Sequence, residues 1–309
     1  MASPDLTAGA APRLRARRRR IGEDVIKGVL FICALISVAT TVGIVVALFV
    51  PAFEFFQEIS IVDFLTGKDW SPLFEPAHFG VLPLIGGTLL VTAIASAVAM
   101  PFGLGAAIYL SEYASPRMRG ILKPAFEVLA GIPTIVFGYF ALTFMTPLLR
   151  DLGIQVDIFN TLSAGLVMGV MLMPTVASLS EDAMGAVPRD LRDGAYALGS
   201  TKVQVATRIV VPAAVSGIVA SFVLAISRAV GETMIVLIAM GQQPNLTFDP
   251  KEAAEAMTAF IAATGAGDVP TGTIEYKTIF AVGATLFVMT LIMNVFAIRL
   301  VRKYREVYE

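Results

Sequence analysis

Residues 193–234 read DGAYALGSTKVQVATRIVVPAAVSGIVASFVLAISRAVGETM, and the fold follows from how this stretch is read. Its first half is polar, helix-prone and closed by Pro212, while its second half is an apolar run carrying Arg228 and Glu232 deep inside it. A charge within a membrane span costs roughly 2.5–3.5 kcal/mol on insertion scales, so such residues are functional hypotheses by default. The apolar half asks what Arg228 holds. The polar half asks what docks there.

Working outward, the composition is that of a polytopic membrane protein. Of the 309 residues, 56% are hydrophobic and only 15% charged, with a mean hydropathy of +0.78. A soluble domain carries about 25% charged residues, so a soluble fold would strand apolar surface in water. The single cysteine, Cys33, lies in an apolar run and excludes an intrachain disulfide. One histidine, His78, cannot complete a zinc site with it, so no metal site is expected. Metal hydrolysis and Cys/His nucleophilic catalysis have almost no material here.

Charge-free runs at 28–50, 79–111, 128–149, 158–180 and 278–298 each reach the roughly 20 residues that cross a bilayer. A sixth, 213–240, is interrupted only by Arg228 and Glu232. The expected class is an all-α polytopic membrane protein with six transmembrane helices. The run at 79–111 is long for one span, and Pro83 and Pro101 predict an interfacial start and a break or kink on the way. The basic run Arg13–Arg20 before an apolar stretch resembles a signal peptide. However, 28–50 exceeds an h-region of about 7–15 residues and reads as a retained first span. Residues 1–24 are expected to be a basic, disordered cytoplasmic tail able to touch anionic lipid, 25–305 the membrane domain and 306–309 a cytoplasmic C-terminus.

Lys and Arg favour cytoplasmic loops. With the N-terminus inside, the inner segments hold the Arg13–Arg20 cluster, Lys27, Arg117, Arg119, Lys123, Arg189, Arg192, Lys202, Arg208, Arg299, Arg302, Lys303 and Arg305. The outer segments hold only Lys68, Arg150, Lys251 and Lys277, so both termini are expected in the cytoplasm of a bacterial cell. The outer loops are acidic, which reads either as ordinary solvation or as a docking face for an external partner. Within them, 250–263 is expected to form a short surface helix. The inner segment 181–212 reads as helix, Gly199, helix: an elbow that a soluble partner can grip, with Ser200 or Thr201 capping its second arm.

At this elbow a signature appears. Permease subunits of ABC importers carry E-A-A-x3-G-x9-I-x-L-P. Asp193, Gly194, Ala195, Gly199, Ile209, Val211 and Pro212 keep that spacing, with Asp193, Gly194 and Val211 departing from its letters. Glu252-Ala253-Ala254 is a decoy, because Thr258 stands where the glycine is needed. Residues 130–138 (AGIPTIVFG) and 227–234 (SRAVGETM) resemble the permeases of phosphate-specific importers, and 64–70 (FLTGKDW) and 79–85 (FGVLPLI) resemble their C-type subunit, PstC. The resemblance runs from about Val25 to Arg305. It implies a type I importer permease paired with an A-type partner permease, two ATPase subunits bound at the elbows, and an extracytoplasmic phosphate-binding protein. No G-x4-G-K-[ST] loop is present, so ATP and Mg are expected on the ATPase partners, with no cofactor on this chain and no nucleic acid as partner.

Three groups of residues carry the expected chemistry. Arg228 and Glu232, four apart, share one face on a helix, and that face is expected to line the substrate path. Arg228 offers planar donors suited to phosphate, and Glu232 would hold the guanidinium or accept a proton-bearing phosphate oxygen. An ion pair that merely satisfies itself is the plainer reading. Thr134, after Pro133 in the third span, is a candidate for gating or substrate contact, with an ordinary packing kink equally open. At the elbow, Asp193, Gly194, Ala195, Tyr196, Leu198, Gly199, Ile209 and Pro212 are expected to couple to the ATPase, Tyr196 and Leu198 as apolar anchors. Gly103, Gly105 and Gly165–Gly169 are expected to let helices pack closely. A permease for another oxyanion, a lipid enzyme and a channel are the alternatives; the last two need no ATPase-docking elbow.

Overall fold

The structure is a computed structural model describing residues 21–303; the rest of the expected tail and the C-terminus at 306–309 lie outside the described residues. The chain divides into two compact units, 1–47 and 48–309. Helix α1 (Ile21–Glu58) contributes to both; it is already under way at Ile21, so the expected tail boundary at 24 falls inside a helix. Its side chains from Leu30 to Ile44 point outward, as an apolar face in lipid requires.

The second unit is mostly helix. After α1 come α2 (Ile61–Thr66) and a two-residue hairpin pairing Trp70 with Phe79 and Ser71 with His78. Helix α3 (Leu82–Tyr113) ends in a π-helical turn, Tyr109–Tyr113. Helix α4 (Pro116–Gly131) bends by 88° into α5 (Thr134–Asp151), and α6 is Thr161–Gly185. The elbow follows as α7 (Arg189–Ala197) and α8 (Lys202–Ala213), the latter bent by 71° from α9 (Val215–Val230). Helices α10 (Met257–Ala266) and α11 (Ile274–Lys303) complete the described chain. Among the described residues four helices are long and apolar enough to cross a membrane, or up to six spans if each bent pair is one span.

The break allowed for at Pro101 and the surface helix expected at 250–263 both need correction. Pro101 neither breaks α3 nor ends it, and the helix runs from Leu82 through all 32 residues. Pro83 occupies the first turn, where a missing N–H costs nothing. The surface helix expected at 250–263 begins only at Met257, and Ala253, Ala254, Ala256, Met257 and Ala259 are all buried. The reason is a backbone dock: Ala254 N–H donates to Met240 O (3.3 Å), and Met257 N–H donates to Thr88 Oγ1 (3.0 Å).

The core is a seam between α3 and α6, continued by α9 and residues 235–240. Its closeness depends on glycines. A Cβ at Gly165 would come within 2.7 Å of Ile94, at Gly169 within 2.6 Å of Val98, and at Gly103 within 2.7 Å of Val176. Gly105, by contrast, faces open space. A second cluster near the start of α3 joins Phe55, Phe64, Trp70 and Phe260, with ring centroids 5.0–6.1 Å apart and edges on faces. A third, built on Ala107, Met184, Ala195, Val205 and Val210, seats the elbow on the opposite end of α3.

Candidate functional site: two broken spans and an elbow

The fifth span does not continue through Glu232. Helix α9 ends at Val230, Gly231 is its C-cap, and helical structure resumes beyond Thr233. The i, i+4 geometry expected for Arg228 and Glu232 therefore fails, and no ion pair joins them. Glu232 is 8% exposed and turned into the protein. Its carboxylate accepts the Met234 N–H (3.2 Å), and its own carbonyl accepts the Thr258 hydroxyl (2.6 Å). It caps the resumed helix and ties it to α10. Arg228 is exposed and donates from Nη1 to Thr175 Oγ1 (3.2 Å), a partner one residue past Pro174 on α6.

The third span is broken in the same manner. Ile132 and Pro133 are extended, and Thr134, half-buried, is the first residue of α5. The two resumed helices pack side by side: a Cβ on Gly138 would lie 3.1 Å from both Met234 O and Ile238 Cβ. A cleft of about 550 Å³ opens between α4, α6 and α9, with Ala130, Thr175 and Leu224 on its walls and Lys123, Glu127, Glu181 and Asp182 among its other lining residues. Leu224 lies one helical turn before Arg228. Broken backbone at membrane depth is tolerated where it lines protein or a watery cavity, and such breaks frequently carry ligand.

The elbow has the local geometry its sequence predicts. Gly199 adopts φ +79°, with Gly199 N–H donating to Tyr196 O (2.9 Å) and Ser200 N–H to Ala195 O (3.1 Å). These two bonds are the Schellman closure. Open space surrounds a Cβ at Gly199, so the demand for glycine is conformational. Thr201, rather than Ser200, caps α8 in a reciprocal box with Gln204. Leu198 is 89% exposed and Tyr196 also exposed, while Ala195 is buried and Ile209 half-buried against the end of α3. Asp193, Gly194 and Pro212 are exposed, and Pro212 lies just before the 71° bend. Gly199 and Ile209, ten residues apart, line one cleft of about 390 Å³ with Leu198, Ser200, Gln204 and Arg208.

Sequence reasoning missed Thr175, Glu112, Glu181 and Glu255. Only the Pro174-Thr175 dipeptide, mirroring Pro133-Thr134, offered a signal. Glu181, buried, meets Lys123 Nζ at 2.6 Å. Glu255, one of the outer-loop acids, is only 5% exposed, and burial pushes its carboxyl up to about 7. It lines an outer cleft with Trp70, Gln242, Phe260 and Asp268.

Against known proteins, residues 99–306 match the binding-protein-dependent transport system inner membrane components. The chain is 33% identical over 299 residues to the probable ABC transporter permease protein YqgH of Bacillus subtilis, covering 96% of each. It is 34% identical over 266 residues to the phosphate transport system permease protein PstC of Xylella fastidiosa, covering 78% of this chain and 80% of that one. A bacterial ABC transporter involved in the import of the acidic polysaccharide alginate superposes with a TM-score of 0.63 at 17% identity, over 93% of this chain and 100% of the other. The MetNI methionine ABC transporter does so with a TM-score of 0.54 at 18% identity, over 74% and 95%. At those identities the likeness is one of fold, that of type I importer permeases.

Proposed function

The chain belongs to the binding-protein-dependent transport system inner membrane components, and from that membership we propose that it is the C-type permease of an ATP-driven importer carrying inorganic phosphate into the cell. The phosphate permeases among its relatives support the cargo. The observation that carries the mechanism is Arg228. It is a permanent cation on an exposed helix face in a membrane span, held by a neutral hydroxyl and, among the described residues, paired with no carboxylate. Without a bound counter-charge, its planar donors remain available to an anion.

In this reading phosphate passes Arg228 and Thr175 where the two broken spans meet. The N-terminal end of α5 at Thr134 adds the positive end of a helix dipole. Glu232 serves the path indirectly, by fixing the break that ends α9. The elbow, through Tyr196, Leu198, Gly199 and their neighbours, seats in a groove of a partner ATPase that holds ATP and Mg. Exposed apolar residues of α5, including Tyr139, Phe140 and Phe144, face an A-type permease or lipid. A phosphate-binding protein delivers the anion to the acidic outer loops, and both termini lie in the cytoplasm.

The test is uptake and ATP turnover in vesicles holding the assembled complex, comparing wild type with Arg228→Gln. Uptake is expected to collapse while the complex still assembles and hydrolyses ATP. Unchanged uptake would remove Arg228 from the path.

A further inference from the structure

The end of α3 grips both arms of the elbow. From the first arm, Arg192 donates through Nη2 to Glu112 Oε1 (3.0 Å) and Met184 O (2.8 Å), and through Nη1 to Val187 O (2.7 Å). The two side chains are only 16% and 6% exposed, and Glu112 Oε1 also accepts the Ser111 hydroxyl (2.9 Å). From the second arm, Lys202 Nζ lies 4.9 Å from the centroid of the Tyr113 ring. Glu112 and Tyr113 are adjacent, and both belong to the π-helical turn, which Ala114 N–H closes on Tyr109 O (2.8 Å).

That turn is itself braced. Arg119 donates to Leu110 O (2.5 Å from Nη2, 3.2 Å from Nε) and to Ser111 O (3.2 Å), occupying carbonyls at the helix end. The same guanidinium lies 3.7 Å from Glu181 on α6. Exposed ion pairs slip readily and contribute little. The Arg192–Glu112 pair, largely withdrawn from solvent and multiply bonded, differs, because separating it leaves a buried carboxylate unpaired and carbonyls orphaned. The elbow cannot tilt far from the turn without breaking this network. Beyond the turn lies the glycine-lined seam of α3 with α6, and α6 carries Thr175, the partner of Arg228.

We propose that the π-helical turn Tyr109–Tyr113 is the link through which displacement of the elbow moves the membrane bundle, with Glu112 and Tyr113 as positioning residues for its two arms. Inserted π turns recur at functional sites in helices, and a discrete network joining two rigid elements is the physical form that coupling takes. The proposal rests on the elbow being the ATPase dock. Its own content is which residues transmit the motion.

The experiment measures phosphate taken up per ATP hydrolysed, in vesicles holding the assembled importer. Glu112→Gln and Tyr113→Leu are expected to lower that ratio about tenfold with the ATPase still co-purifying, and Glu112→Asp and Tyr113→Phe to restore most of it. A ratio that stays at the wild-type value overturns the proposal, whether both activities persist or fall together. So does loss of the ATPase from the Glu112→Gln complex, since the pair would then build the elbow instead of transmitting through it. Leu198→Asp separates the underlying reading: if the ATPase still binds that variant, the elbow is not the dock.

Discussion

Arg228 bonded to a threonine behaves differently from an arginine locked to a glutamate. A salt-bridged guanidinium would meet an incoming anion already neutralised, whereas the Thr175 hydroxyl orients Arg228 without cancelling its charge. Groups in contact show non-additive effects, and groups without shared partners add. Initial uptake rates for Arg228→Lys, Thr175→Val and their combination should therefore give a coupling of about 1 kcal/mol, and Arg228→Lys with Glu232→Gln one below about 0.5 kcal/mol. A large Arg228–Glu232 coupling would show that the two meet during transport. Glu255 makes a second residue-scale prediction. Its folded value near 7 lies above the ordinary carboxylate value of 4.5, so the folded protein binds the proton more tightly. Stability is then fullest below the ordinary value, falls as pH rises through about 7, and levels off, a loss on the order of 3 kcal/mol. Thermal midpoints in detergent between pH 5 and 8 should fall for wild type and stay level for Glu255→Gln; parallel curves would remove Glu255 as the cause.

At the scale of elements, the glycines of the central seam separate two uses of the same residue. Gly169→Ala would push a methyl group into Val98 on α3 and should cost about 1–3 kcal/mol. Gly105→Ala meets open space in a helix and should be neutral or stabilising by up to about 1 kcal/mol. Thermal midpoints of the two variants, read side by side, check this, and equal destabilisation would contradict the packing described. The pattern Gly165–Gly169 was legible because small residues at helical spacing mean close approach wherever they occur. Spans were legible from apolar length, the elbow from a glycine between two helix-forming segments. Helix ends inside apolar runs were not. Gly231 gives no stop signal that Gly217 or Gly283 does not also give, and Pro101 shows that a proline alone does not mark a break. The fate of Glu232 depended on that unsignalled end, and the burial of 253–260 on hydrogen bonds to residues as distant as Thr88.

For the whole molecule, the distribution of cations and the direction of α3 make one joint statement about the membrane. Helix α3 leaves the aromatic cluster beside Trp70 and arrives 32 residues later at the elbow. At 1.5 Å per residue it is about 48 Å long, more than the roughly 30 Å hydrocarbon layer, which is long enough to carry its two ends to opposite sides of a membrane. Around its elbow end stand Arg117, Arg119, Lys123, Arg189, Arg192, Lys202 and Arg208, and in the proposed orientation, which keeps Lys and Arg on the cytoplasmic side, that end is inside. The acids Asp63, Asp69 and Glu75 accompany the other end, where external solvent and a delivered anion would be met. Single cysteines report this directly once Cys33→Ser removes the native thiol. Phe74→Cys, at a position 73% exposed, should react with an impermeant maleimide added to cells whose inner membrane is intact. Leu198→Cys, at a position 89% exposed, should react only after that membrane is opened. The reverse pattern would place the elbow outside, beyond the reach of any cytoplasmic ATPase, and would overturn the proposed coupling however well its sequence fits.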